Sequence, residues 1–321
     1  MRILTLFSTL LLTLLFTLVA SAESLAGEPA TVDMELRQVS RHVYYVQGAA
    51  GVATDNQGFI SNAAVVVTGA GVVVFDALGT PALGRMLLEK IRAVTSEPIV
   101  SVIVSHYHAD HIYGLQVFAD LEAQILAPAG AADYLNAPEA EARLAERRTS
   151  LFPWVDEHTR LVWPDRYIRA PESFRLGDVE FVITTLGAAH SDGDLTLYVK
   201  PDRVLLSGDV IFEGRVPFVG DANTANWLAV LEQMASSQPA ALIPGHGPLA
   251  RDPLQAITGT RDYLAFLRAQ MGHAVEDFTP FDEAYDAVDW SRFAHLPAFE
   301  EANRRNAYQV YLSLEAELLA R

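Results

Sequence analysis

Apolar residues along this chain change their spacing repeatedly, and each change marks the edge of an element. Residues 42–47, 60–68 and 71–77 carry the compact apolar runs of strands, the last two joined by Gly69-Ala70-Gly71. Pro81–Val94 instead sets Leu83, Met86, Leu87 and Ile91 at helical spacing, and Pro98 restarts the chain as an apolar strand over 99–104. Residues 114–119 begin a helix, 123–127 form a strand, and 131–148 read as one heavily charged helix. Strand-like runs, including 179–186 and 203–206, dominate from 167 to 212. A helix over 227–235 then precedes a strand over 240–243, and helical spacing returns at 254–269 and 303–320. Between these last two lies a proline-punctuated connector with Asp277, Asp282, Glu283, Asp286 and Asp289. Its acids lack calcium-loop spacing and read as a solvated surface. This alternation of strands and helices predicts an α/β (α+β) chain built as an αββα sandwich, two packed sheets with helices outside. No internal repeat is visible.

The densest chemistry follows the 99–104 strand. His106-Tyr107-His108-Ala109-Asp110-His111 places four metal-ligand side chains in six residues. If the backbone stays extended, His106, His108 and Asp110 face one point and His111 a second. Downstream, His190 lies in Gly187-Ala188-Ala189-His190-Ser191-Asp192-Gly193, Asp209 in Ser207-Gly208-Asp209, and His246 in Pro244-Gly245-His246-Gly247. Each follows a strand-like run, so the candidate ligands sit where a rigid scaffold hands over to a loop. Structural zinc favours closed, cysteine-rich sites, and this chain has no cysteine. The remaining histidines, His42, His158, His273 and His295, stand alone and read as surface or hydrogen-bonded core residues.

The ends and the charge narrow the function classes. Arg2, an apolar stretch over 3–18 and Ala20-Ser21-Ala22 form a secretory signal over residues 1–22. The expectation is an exported chain, periplasmic or secreted, with no stable membrane insertion after cleavage. A catalytic domain over 23–250 and a C-terminal helical extension over 251–321 would follow. The formal net charge of −17 argues against a nucleic-acid partner and leaves a small-molecule substrate. The oligomeric state is not legible.

The order and spacing of His106, His108, Asp110, His111, His190, Asp209 and His246 resemble the metallo-β-lactamase superfamily over residues 43–249. The resemblance implies its αββα sandwich of two mixed sheets. It assigns His106, His108 and His190 to one metal, Asp110, His111 and His246 to the other, and Asp209 to both. Two Zn²⁺ per chain suit these donors, and Mn²⁺ or Fe²⁺ share the same ligand chemistry. A hydroxide shared between the metals would attack a carbonyl or phosphoryl centre, oriented by Asp110 as the catalytic carboxylate.

Branches of the superfamily separate on single positions. Its di-iron reductases carry a glutamate where this chain has His108. Hydroxyacylglutathione hydrolases share all seven ligands but use a basic pocket, and the tRNA-processing nucleases need a positive surface. One lactamase subclass has cysteine at the position of Asp209, and the subclass sharing His111 lacks an acid there. The stretch Asp209-Val210-Ile211-Phe212-Glu213-Gly214-Arg215-Val216-Pro217-Phe218, with Asn226-Trp227 and Pro244-Gly245-His246-Gly247-Pro248, is similar to exported zinc metallohydrolases, including those associated with quinoprotein systems. The expected function is an exported binuclear zinc hydrolase cleaving an acyl bond in an ester, lactone, thioester or amide. A β-lactamase is the alternative, and a non-catalytic periplasmic metal-binding accessory protein the alternative of another class. Tyr113 and Arg215 are the candidate substrate contacts, and residues 48–58 a candidate flap over the site.

Overall fold

Strand pairing gathers the β segments into two sheets. In the computed structural model, which describes residues 27–320, the first sheet is seven-stranded and keeps sequence order. Its strands are β1 (Arg37–Gln38), β2 (Val43–Val46), β3 (Ala63–Val67), β4 (Val72–Phe75), β5 (Ile99–Ile103), β6 (Gln124–Pro128) and β7 (Arg166–Ile168). The second is five-stranded, built from β8 (Glu172–Leu176), β9 (Val179–Gly187), β10 (Asp194–Val199), β11 (Val204–Phe212) and β12 (Ala241–His246) in the order β12-β11-β10-β9-β8. Both are mixed. Pairing turns from antiparallel to parallel at β4–β5 in the first sheet and at β11–β12 in the second. The export signal expected at 1–22 lies outside the described residues.

Alternation within strands explains the layers. Val73 and Phe75 of β4 join Phe181, Ile183, Leu195 and Leu197 of the second sheet in the core between the sheets. Val72 and Val74 face the other way, toward Leu83, Leu87 and Ile91 of α1 (Pro81–Val94). A strand buried on both faces needs an unbroken apolar run, and full burial of each such side chain contributes about 1.5–3 kcal/mol. The first half also carries α2 (Ala109–Ile112), α3 (Leu115–Ala119), α4 (Ala131–Asn136) and α5 (Ala140–Ser150). The outer side of the second sheet is covered by α6 (Thr224–Met234), α7 (Pro253–Glu276), α8 (Phe281–Ala287) and α9 (Phe299–Leu319). The architecture is the expected sandwich of two mixed sheets flanked by helices.

Three expectations shift. The single helix over 131–148 is two, α4 (Ala131–Asn136) and α5 (Ala140–Ser150), because Ala137 before Pro138 is extended. The acidic connector contains α8, whose Ala284 is buried while Asp282 and Asp286 face solvent and pair with Arg304. The strand expected over 60–68 begins only at Ala63, and residues 60–62 serve the site instead.

At the rim of the sandwich, His42 ahead of β2 meets Asp202 in the β10–β11 turn. The His42 backbone N–H donates to Asp202 Oδ1 (3.1 Å), and its ring Nδ1 lies 2.6 Å from Oδ2. Burial opposes ionisation of Asp202, but the nearby Ser40 hydroxyl and the hydrogen bonds from His42 outweigh it and hold the carboxyl below its ordinary range. A depressed carboxyl pKa stabilises the fold at neutral pH, and that contribution is lost as pH falls through the depressed value. Asp202→Asn should therefore cost ~1–3 kcal/mol at pH 7 in denaturant unfolding. The gap to wild type should close below the ordinary carboxylate range, and a gap independent of pH would contradict this account.

Candidate metal centre

The candidate ligands gather at one end of the sandwich, where chain from both sheets turns outward. His106 and His108 follow β5, and Asp110 and His111 lie on α2 (Ala109–Ile112). His190 sits between β9 and β10, Asp209 in β11, and His246 ends β12. One group comprises His106, His108 and His190, and another Asp110, His111 and His246. Asp209 touches both. Its Oδ2 is 3.4 Å from His190 Nε2 and 3.1 Å from His246 Nε2, and its Oδ1 is 3.1 Å from His111 Nε2. Asp110 Oδ2 lies 3.2 Å from His246 Nε2 and 3.5 Å from His111 Nε2.

This grouping corrects one expectation from the sequence. An extended backbone would have aimed Asp110 with His106 and His108, but the chain becomes helical at Ala109, so Asp110 turns to His111's side. His111 does face the second point.

Ring orientation follows from hydrogen bonds behind the ligands. The Ile60 carbonyl can only accept, so His246 Nδ1 carries the proton and donates to it (2.7 Å), leaving Nε2 facing the site. Asp76 accepts from the Ser105 backbone N–H and hydroxyl, and lies 2.9 Å from His111 Nδ1. Because the Ser105 hydroxyl already donates to Asp76, it accepts from His106 Nδ1 at 2.9 Å. One buried carboxylate thus orders a histidine of each group. Ser61 Oγ donates to the Asp110 carbonyl, and Asn62 Nδ2 to the carbonyls of Pro244 and Gly247. Asp194 accepts from the backbone N–H groups of Ala189 and Ser191, which fixes the His190 loop. Gly245 is required, since a methyl there would overlap the Asp209 carboxylate.

These supporting residues were not singled out in the sequence. Ser61 and Asn62 had a signal, as polar positions inside an otherwise apolar run. Asp76 had another, as an acid closing an apolar strand.

Electrostatics divides the two groups. Burial first, then the neighbouring His111, holds His106 far below its ordinary range, and burial pulls His190 down to about 3. Burial likewise lowers His108. Burial also opposes charge on His111 and His246, but Asp209 and Asp110 outweigh it and raise both. Asp110 and Asp209 are lowered in turn, their burial outweighed by His111 and His246.

The donor set fits divalent cations. His108 Nδ1 lies 3.1 Å from His106 Nε2 and 3.0 Å from His190 Nε2, and neutral imidazole nitrogens converging this way suit a shared cation. His111 Nε2 and Asp209 Oδ1 are buried without a hydrogen-bond partner among the described residues, as ligand atoms would be.

The candidate substrate residues lie apart. Tyr113 is buried in the apolar layer beneath the first sheet, beside Tyr134. Arg215 follows β11, and the carboxylates acting on it are chiefly Asp209 and Asp110. The segment expected as a flap holds a 3-10 turn at Ala53–Asp55, and a methyl at Gly79 would meet both its Gly58 carbonyl and Asp110.

A sequence model of the Metallo-beta-lactamase superfamily matches residues 56–246, more than half of the chain. The chain belongs to the metallo-beta-lactamase superfamily. Among its relatives, Metallo-beta-lactamase IND-1 of Chryseobacterium indologenes is 23% identical over 210 residues, 64% of this chain and 77% of that protein. The Acyl-coenzyme A thioesterase MBLAC2 of Gallus gallus is 26% identical over 161 residues, 46% of this chain and 56% of that one. Among solved structures, the sec-alkylsulfatase Pisa1 from Pseudomonas sp. shares the fold with a TM-score of 0.67 at 19% identity, covering 87% of this chain and 50% of its own. Superfamily membership and the buried His/Asp groups make this a metal-dependent hydrolase.

Two outcomes follow. Loading zinc at pH 7 should release few protons when His106, His108 and His190 bind, because their depressed pKa values leave them neutral. Binding at His111 and His246, whose pKa values are raised, should release protons and weaken more as pH falls. Calorimetry in buffers of different ionisation heat measures this, and equal release in both steps would contradict it. Separately, Asp194→Ala should weaken zinc at the His190 group by roughly 10–100-fold, while Asp192→Ala, on the exposed side of the same loop, should not. Equal zinc content in both variants would remove Asp194's role.

Proposed function

We propose that this chain is an exported binuclear zinc hydrolase that cleaves an acyl bond in a substrate carrying a negative charge. The observation that carries the reading is Asp209, a single buried carboxylate between two donor groups. It supports assigning one Zn²⁺ to His106, His108 and His190 and one to Asp110, His111 and His246, with Asp209 serving both. Mn²⁺ or Fe²⁺ are the other ions these donors suit. Bound there, the cations supply Lewis acidity that polarises a carbonyl and lowers the pKa of a water molecule. The chain's own residues do the rest. The side chain of Asp110 is 21% exposed, and its depressed pKa keeps the carboxylate ionised, able to accept a hydrogen bond from the attacking water and orient it. Arg215 supplies the anchor for a substrate carboxylate beside the centre. The sequence over 1–22 supports export, and the stretch over 209–218 supports placement near the exported zinc metallohydrolases, including the quinoprotein-associated ones.

The curated relative from Chryseobacterium indologenes favours a second reading, in which the substrate is a β-lactam, itself a carboxylate-bearing amide. A panel assay on zinc-loaded protein separates the two. It should contain a chromogenic cephalosporin, a neutral lactone, a thioester and an anionic ester. We expect Asp209→Ala to abolish turnover of all four. Arg215→Ala should reduce kcat/KM for the anionic ester by roughly ten- to hundredfold, the equivalent of ~1.5–3 kcal/mol, and barely touch the lactone. Efficient cephalosporin turnover dependent on Arg215 would promote the lactamase reading. Two bound zinc ions with no turnover of any member would favour an accessory metal-binding protein.

A further inference from the structure

The helices α7–α9 lie beyond the stretch that the superfamily model matches, yet they reach back to the segment that leaves the metal centre. After β11 the chain runs through Glu213, whose N–H donates to the His246 carbonyl, then Arg215, Val216, Pro217 and Val219. Asn306 of α9, fully buried, holds this segment with both ends of its amide. Its Oδ1 accepts from the Val219 N–H (2.9 Å), and its Nδ2 donates to the Pro217 carbonyl (2.6 Å). The amide is fixed in turn by the Tyr263 hydroxyl of α7 (2.9 Å), which donates to Asn303. Just ahead of α9, the Pro297 carbonyl accepts from the Val216 N–H (3.0 Å).

Arg215 sits inside this clamped segment. Its Nη1 is buried without a hydrogen-bond partner among the described residues, and its Nε makes only a long contact, 3.4 Å, to the Val216 carbonyl. Of the three acids that act on it, Glu301 of α9 has the smallest effect, and Asp209 and Asp110, with the larger effects, belong to the candidate metal centre. Zinc there would neutralise both, leaving the guanidinium beside a cationic centre. A buried donor with net positive surroundings is satisfied by an anion. Its aim depends on the backbone of 214–219, which Asn306 holds at Pro217 and Val219 while the Pro297 carbonyl holds Val216.

We infer that the C-terminal helices are part of the substrate-selecting apparatus: Asn306 is a positioning residue that fixes the Arg215 segment, so preference for an anionic acyl substrate is set from α9. This rests on the reading of Arg215 as the anion anchor. The side chain of Asn306 touches neither the candidate ligands nor, on this reading, the substrate, and it acts only through the segment it holds.

The test compares p-nitrophenyl hydrogen succinate, an anionic ester, with neutral p-nitrophenyl propionate on the zinc-loaded full chain. Asn306→Ala should raise KM for the succinate ester by roughly tenfold, leaving its kcat, the propionate kinetics and zinc content within about twofold of wild type. Combined with Arg215→Ala, it should add no further loss, because both remove the same interaction. Equal effects on the two esters, simple additivity, or loss of zinc would each overturn the inference. Should Asn306→Ala fail to fold, Tyr263→Phe removes one hydroxyl from the clamp and should shift the same selectivity by a smaller factor, and unchanged selectivity there overturns it. If the wild type hydrolyses neither ester, the proposed acyl-ester substrate falls but the clamp remains measurable. Added succinate should then slow hydrogen exchange over 214–222 in wild type and not in the Asn306 or Tyr263 variant. Absence of that protection in wild type, or its persistence in the variant, overturns the inference.

Discussion

Asp209 is a carboxylate removed from water, and a buried anion must be answered by positive charge or by donors on every side. Four imidazoles lie within 4.0 Å of it, those of His106, His111, His190 and His246. Meeting that demand fixes much of the surrounding architecture. Glycine is needed beneath the carboxylate at 245. β11 and β12 must run side by side and parallel so that Asp209 and His246 emerge together. The first sheet must pack so that the turn after β5 reaches the same point. The depressed pKa values of the carboxylates and the raised ones of His111 and His246 are two views of this compensation.

The imidazoles are held from behind with equal care. Asp76 links His111 directly and His106 through the Ser105 hydroxyl, so one side chain on β4's end governs rings in both donor groups. Asp76 adopts a positive φ of 63°, which an L residue seldom takes without compensation. Its three accepted hydrogen bonds supply that compensation. The Ile60 carbonyl and the Asn62 amide do the same for the β12 end. Support of this kind decides ligand geometry as much as the ligands do.

The sandwich and all seven candidate ligands were legible because their signals are local. Short apolar runs end in His, Asp or Gly, and such runs remain visible when both faces of a strand are buried. The aim of Asp110 was not legible, since a four-residue helix after His108 has no periodicity to read. The break between α4 and α5 was signalled by Pro138, but the charged helical pattern on either side overrode it. Asp76, Ser105 and Asp194 act through contacts between distant segments, and a sequence without those contacts shows only ordinary polar residues at strand ends. Asn306 is the extreme case. The loop residues it holds, Pro217 and Val219, lie almost ninety positions away, and Asn306 itself sits on a helix whose pattern announces only an amphipathic surface.

The donors come from both sheets: His106 to His111 from the first, His190, Asp209 and His246 from the second. Any ion held there would tie together the two halves of the sandwich and be bound only by the folded arrangement. Its free energy of binding therefore adds to that of folding, and by mass action each tenfold rise in free ion contributes about 1.4 kcal/mol per occupied site. The resistance of the folded chain to heat and proteolysis becomes a reading of ion supply in its compartment. A molecule that matures where the ion is scarce would have the same sequence and the same fold, and a shorter lifetime.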